Sequence, residues 1–107
     1  MNGNNVTYAN AIGNGGGGAL TVASTTAGGV LNLSGANTYT GNTTINSGAT
    51  LNVNNTSGSG TGSGNVTVNG TLGGSGIISG DVTVQTGGKT LPGGVTTTLG
   101  GNLTYNT

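Results

Sequence analysis

Along this chain apolar residues come in pairs that straddle one polar residue, and runs of glycine, asparagine and serine separate each triplet from the next. Seven triplets share the form: Val6-Thr7-Tyr8, Leu20-Thr21-Val22, Leu31-Asn32-Leu33, Leu51-Asn52-Val53, Val66-Thr67-Val68, Val82-Thr83-Val84 and Leu103-Thr104-Tyr105. Side chains of a strand alternate between its faces, so each triplet sends two apolar groups inward and one polar group outward. Shorter elements fall between them at Thr43-Thr44-Ile45, Thr71-Leu72, Ile77-Ile78, Thr90-Leu91 and Thr98-Leu99. Spacing between triplet centres is uneven: Thr21 and Asn32 stand close together, while Thr83 and Thr104 are nearly twice as far apart.

The separators, such as Asn46-Ser47-Gly48, Asn69-Gly70 and Thr86-Gly87-Gly88, are residues that accept the positive φ of tight corners. No stretch carries a 3.6-residue period with caps, so no α-helix of consequence is expected. Very short strands, turned often and stacked on coils of about 20 residues, predict an all-β chain folded as a parallel β-helix (β-solenoid) of about five coils. One module spans residues 1–107. The competing architecture is an antiparallel sandwich. Its strands usually run to about five or six residues, and its core draws on large aromatics that this chain lacks.

Composition narrows the chemistry sharply. Asp81 and Lys89 are the only charged side chains among 107 residues, and His, Cys, Trp and Phe are absent. Acid–base catalysis needs a titratable group beside its partner, and metal sites need clustered His, Cys or carboxylates, so no enzyme, cofactor or metal site is expected. A single lysine cannot neutralise a phosphate backbone, which argues against nucleic acid as a partner. No apolar stretch reaches the roughly 20 residues of a membrane-spanning helix, so no membrane insertion is expected. Zero net charge with abundant Val, Thr and Ile points to β structure and away from disorder.

Two motif matches are accidental. Gly13-Asn14-Gly15-Gly16-Gly17-Gly18 satisfies a dinucleotide-loop pattern but leads into the strand-like Ala19-Leu20-Thr21-Val22, where that fold needs a helix. Gly88-Lys89-Thr90 resembles the end of a phosphate-binding loop, yet Pro92 and Gly93 follow and Thr83 stands where its first glycine belongs. Asp81 and Lys89 are expected to form at most a solvated surface pair. The sites Asn5-Val6-Thr7, Asn65-Val66-Thr67 and Asn102-Leu103-Thr104 fit the glycan-acceptor pattern, and in an Asn- and Thr-rich repeat they are attributed to composition. Outward Thr7, Thr21, Thr67, Thr83 and Thr104, with Asn32 and Asn52, are expected to form polar ladders that solvate the surface. An ice- or glycan-binding face is the alternative, and irregular spacing counts against it. Tyr8, Tyr39 and Tyr105 are assigned to corner and end packing.

The segment Leu33-Ser34-Gly35-Ala36-Asn37-Thr38-Tyr39-Thr40-Gly41, followed by Thr43-Thr44-Ile45, resembles the passenger-associated transport repeat, also called the autotransporter-associated β-strand repeat. Similarity extends over about residues 30–105 through Ser57–Gly64, Val66-Thr67-Val68, Leu72-Gly73-Gly74-Ser75-Gly76 and Gly80-Asp81-Val82-Thr83-Val84. The family's Ala-Pro-Gly after the Thr-Leu step is here Leu91-Pro92-Gly93, one residue shorter. The resemblance implies a right-handed β-helix at a bacterial surface or secreted from the cell, without catalytic residues. Met1-Asn2-Gly3-Asn4-Asn5 lacks the basic and apolar regions of a secretory signal, and no translocator barrel is present, so a complete autotransporter is not expected; a stalk segment of an autotransporter-like adhesin is the alternative to a structural module that forms a surface fibre.

A solenoid coil cannot stand alone, and its two ends carry unpaired strand edges. The first and last coils read as free of charge, proline and covering helix, with Lys89 and Pro92 placed before the final strand. The expected partner is therefore another copy docking head to tail, or neighbouring coils of a longer chain. The expected stacking strands are Val6, Thr7, Tyr8 and Leu103, Thr104, Tyr105.

Overall fold

A computed structural model of the chain describes residues 4–8, 12–13, 18–90 and 98–106, with the side chains of Asn5, Thr7, Tyr8, Thr98 and Leu99 outside the description. The expected loop centre at 14–17 and the Leu91-Pro92-Gly93 step also lie outside the described residues. Twelve strands appear among the described residues: β1 (Asn5–Tyr8), β2 (Leu20–Val22), β3 (Gly29–Leu33), β4 (Thr43–Ile45), β5 (Ala49–Val53), β6 (Val66–Val68), β7 (Thr71–Gly73), β8 (Ile77–Ile78), β9 (Val82–Val84), β10 (Lys89–Thr90), β11 (Thr98–Leu99) and β12 (Leu103–Tyr105). Each overlaps one of the triplets or shorter elements read from the sequence. No helix occurs among the described residues, hence none long and apolar enough to cross a membrane.

Strands that are neighbours in sequence sit in different sheets. The first sheet runs β1-β3-β5-β7-β10 and the second β2-β4-β6-β9-β12, while β8 and β11 form a short third pair. Every pairing among these strands is parallel, which makes the chain a β-solenoid. Five strands stack in each large sheet, so about four full turns separate the first coil from the last. That is slightly fewer than the five coils expected.

Register holds although coil length does not. Asn5 pairs with Val30, whereas Val66 pairs with Val82, so the first of these coils is half as long again as the second. Loops absorb the difference, because the strands are held by the inward alternation. In β5 the pattern is buried at Ala49, Leu51 and Val53 and half-buried at Thr50 and Asn52. A one-residue slip would turn that whole aliphatic set to water.

The core is a stack of aliphatic columns. Leu31, Leu51 and Leu72 lie one above another in the first sheet, and Ile45, Val68 and Val84 in the second. Each fully buried aliphatic of this size contributes about 1.5–3 kcal/mol. Corners between the sheets leave little room for a side chain. A Cβ on Gly74, whose φ is +104°, would lie 2.1 Å from the carbonyl oxygen of Val53 in the coil below. Gly62, at φ +65°, approaches Tyr39 O as closely. Glycine answers both demands at once, the left-handed backbone and the coil-to-coil contact.

Burial at the middle and exposure at the ends set the stability map. Leu51→Ala is expected to destabilise the protein by about 2–5 kcal/mol, since its neighbours on both sides cannot close the cavity. Leu103→Ala, at a half-exposed end position, is expected to cost under about 1 kcal/mol. Urea unfolding of the two variants beside the parent chain measures the difference; equal losses would mean that the end coil is as tightly covered as the centre.

Candidate assembly surfaces

The side chains that do more than fill the core fall into columns, because every strand position repeats in the next coil. On the outside of the second sheet, Thr21, Thr44, Thr67, Thr83 and Thr104 stand in unbroken register. The uneven sequence spacing that argued against a regular threonine rank therefore does not carry into space. On the first sheet, Asn52 Nδ2 donates to Asn32 Oδ1 at 2.9 Å, continuing the expected outer ladder. That ladder stops at Gly73, which occupies the following coil, and the buried Asn52 Oδ1 is left without a partner.

A second polar column was invisible in the sequence reading. Asn65 N–H donates to Asn42 Oδ1 (3.0 Å), Asp81 N–H to Asn65 Oδ1 (3.0 Å), and Asn102 N–H to Asp81 Oδ1 (2.8 Å). Each of these residues directly precedes a strand of the second sheet. In Asn42, Asn65 and Asp81 the side-chain oxygen satisfies the backbone amide of the counterpart one coil on. The signal was present as an Asn or Asp immediately before Thr43-Thr44-Ile45, Val66-Thr67-Val68, Val82-Thr83-Val84 and Leu103-Thr104-Tyr105. Asn65 and Asn102 of the glycan-acceptor pattern thus hold a structural position, which corrects their attribution to composition alone. Asp81 is bound into this column and its carboxylate serves Asn102, not Lys89.

Two buried asparagines staple the long corners. Asn37 accepts the amide of Ile12 from the coil before it and donates to Gly60 O in the coil after it, both at 2.5 Å. Asn55 accepts Ile77 N–H at 2.8 Å and donates to Ser57 O and Gly58 O. Beside them Tyr39 is buried, as its assignment to corner packing required, with its hydroxyl 2.6 Å from Thr43 Oγ1. Burial raises the phenol above its ordinary 10.0, and the Thr43 bond partly offsets that rise.

A shallow groove of about 370 Å³ follows the short corners past Ala27, Gly28, Ser47, Gly48 and Asn69, with Lys89 at one end. Lys89 lies in β10, the last strand of the first sheet, so the final coil does carry a charge. This overturns its placement ahead of that coil. A charged residue on an edge strand discourages pairing with other chains, so the first sheet is the more guarded edge at that end.

Among the stacking residues expected from the sequence, β1 is the edge of the first sheet and β12 the edge of the second, at opposite ends of the body. Val6 is 43% exposed, Leu103 45% and Tyr105 52%, although all three stand in inward columns whose central members are sealed. Thr104 is exposed on the outer face, while the side chains of Thr7 and Tyr8 lie outside the described residues. Tyr105 reaches across the end of the core to place its hydroxyl 2.8 Å from Thr90 Oγ1, a bridge from one sheet to the other. The two edges do not meet within one copy. In a head-to-tail stack β12 faces β2, and β10 faces β1.

Tyr39 makes the fold sensitive to alkali. The unfolded chain ionises this phenol at its ordinary value and the native chain only at a higher one, so its contribution is whole below about pH 10 and is lost as pH climbs through the raised value. Tyr39→Phe is expected to cost about 1 kcal/mol near neutrality through the lost Thr43 bond. The gap between parent and variant should then shrink in melting curves taken from about pH 8 to 12. A gap that stays constant with pH would exclude this coupling.

Comparison with family models, with curated proteins and with solved structures yields no match to this chain.

Proposed function

We propose that the chain is a non-enzymatic structural module that associates end to end into a fibre or stalk outside the cell. The observation that carries this reading is the state of the ends. Core columns and backbone ladders run out to β12 and β1 with their inward residues Leu103, Tyr105 and Val6 about half exposed. Further coils would bury those residues as the central ones are buried.

Chemistry supports the non-enzymatic side. The chain's one side-chain carboxylate belongs to a backbone-binding column and its one lysine sits at the edge of a shallow groove, so among the described residues neither stands as a base paired with a nucleophile. The extracellular, bacterial setting rests on the resemblance of residues 30–105 to the autotransporter passenger repeat, which also supports a stalk segment within a longer adhesin as a form of the same role.

Filaments are expected in electron micrographs of the purified chain, with sedimentation that grows heavier as concentration rises. Monodisperse particles at every concentration would dismiss the fibre.

The threonine rank favours a second reading, an ice- or glycan-binding face on the second sheet. That reading expects thermal hysteresis, or retention on a glycan array, that is lost in Thr67→Lys. Null results in both assays for the parent chain would remove it.

A further inference from the structure

The bonds along the second sheet repeat with one direction. Leu20 N–H donates to Asn42 O, Thr43 N–H to Asn65 O, Val66 N–H to Asp81 O and Val82 N–H to Asn102 O. In each case the first residue of a strand donates to the residue just before the next strand. Beside it runs the side-chain column, in which Asn42, Asn65 and Asp81 each accept the amide of the counterpart one coil further on. Both series break off at the same place. Among the described residues Leu103 N–H finds no further strand to donate to, and the Asn102 carboxamide finds no further coil amide to accept.

At the other end the complementary backbone groups belong to Ala19. Ala19 precedes β2 as Asn42 precedes β4, so it is the first member of the same column. It is exposed and has no side-chain acceptor, and its N–H and C=O have no bond among the described residues. One end thus lacks an amide donor and a carbonyl acceptor, and the other presents one of each, at the same column and in the same sense.

We infer that a second copy of this chain docks β2 onto β12 in one register, Leu20 on Leu103, Thr21 on Thr104 and Val22 on Tyr105, with Asn102 Oδ1 accepting Ala19 N–H and Leu103 N–H donating to Ala19 O. This rests on the end-to-end reading above and adds to it the leading sheet, the direction and the register. Three observations select the second sheet. Its edge strands β2 and β12 carry no charge, whereas the edge of the first sheet carries Lys89. Among the inward positions, half-buried Leu20 meets half-exposed Leu103, aliphatic on aliphatic, whereas Val22 is already sealed within its own copy, so the apolar gain at the junction falls on Leu20, Leu103 and Tyr105. The outward threonine rank continues without a break from Thr104 to Thr21. A slip by one residue would set Leu20 against Thr104 and turn an apolar column outward. The contact is heterologous, the two faces differ, and repetition therefore propagates a filament.

Because the chain has no cysteine, introduced thiols report the register directly. Thr21→Cys and Thr104→Cys are made as separate full-length chains, mixed and oxidised. Paired positions on adjacent parallel strands lie about 4.8 Å apart, within the Cα range a disulfide needs. The mixture should give cross-linked dimer at least about tenfold above Thr104→Cys alone or Thr104→Cys mixed with Thr44→Cys, whose partner position lies one coil too deep for the bond. Asn102→Ala removes one bond at the junction and no side-chain bond among the described residues of the copy, so it should raise the critical concentration about five- to tenfold while leaving the melting temperature of the dilute chain unchanged.

Assembly of the parent chain with cross-linking equal in all mixtures, or with Asn102→Ala assembling as the parent does, would overturn the register and leave the fibre standing. A parent chain that stays monomeric at every concentration would overturn both.

Discussion

In a parallel solenoid the backbone of one coil finds its hydrogen-bond partners on the coils above and below. Strands of two to five residues have no hairpin partner within their own coil, so every ladder bond is a bond between coils. An unpaired buried amide or carbonyl costs about 1–3 kcal/mol, which makes neighbouring coils mutually obligatory. The rest of the architecture serves that condition. Aliphatic columns hold the coils at a common register, glycines such as Gly74 let their corners approach, and side-chain oxygens take over where the strand ladder ends.

That last task explains why asparagine is so frequent. At a corner the backbone leaves the sheet, and its amides point where no carbonyl follows. The carboxamide carries an acceptor and a donor on a short stem, so it substitutes for a missing peptide group. Asn42, Asn65 and Asp81 do so outside the second sheet, and Asn37 and Asn55 do so within the long corners. Asp81 performs the acceptor role equally well, since only its oxygen is needed there. Asn37 uses both ends of its amide and links three successive coils, a role closed to aspartate. Polar residues in this chain are thus distributed by backbone demand more than by contact with solvent.

Strand identity was legible because it depends on neighbours in sequence. Val82-Thr83-Val84 declares an inward-outward-inward element by itself, and the same holds for each of the other triplets. Which residues share a coil was not legible, because long and short coils coexist and counting along the chain cannot align them. For that reason the threonines looked irregular, Lys89 was assigned to the wrong coil, and the column through Asn42, Asn65, Asp81 and Asn102 went unseen. Each of these is a property of vertical neighbours. The fold was readable from local alternation, while the surfaces needed the stack.

The uneven coils have a consequence for how such a protein can change. Connections from the first sheet to the second are long, as between Val53 and Val66, whereas the return corners are brief, as between Val68 and Thr71. Added sequence on the long side leaves every rung where it was, because register is set by the strands alone. One flank of the body is thereby free to accept insertions and diversify, and the opposite flank is bound to stay lean. A shaft built on this plan can display varied cargo at a fixed vertical pitch without redesigning its own interior.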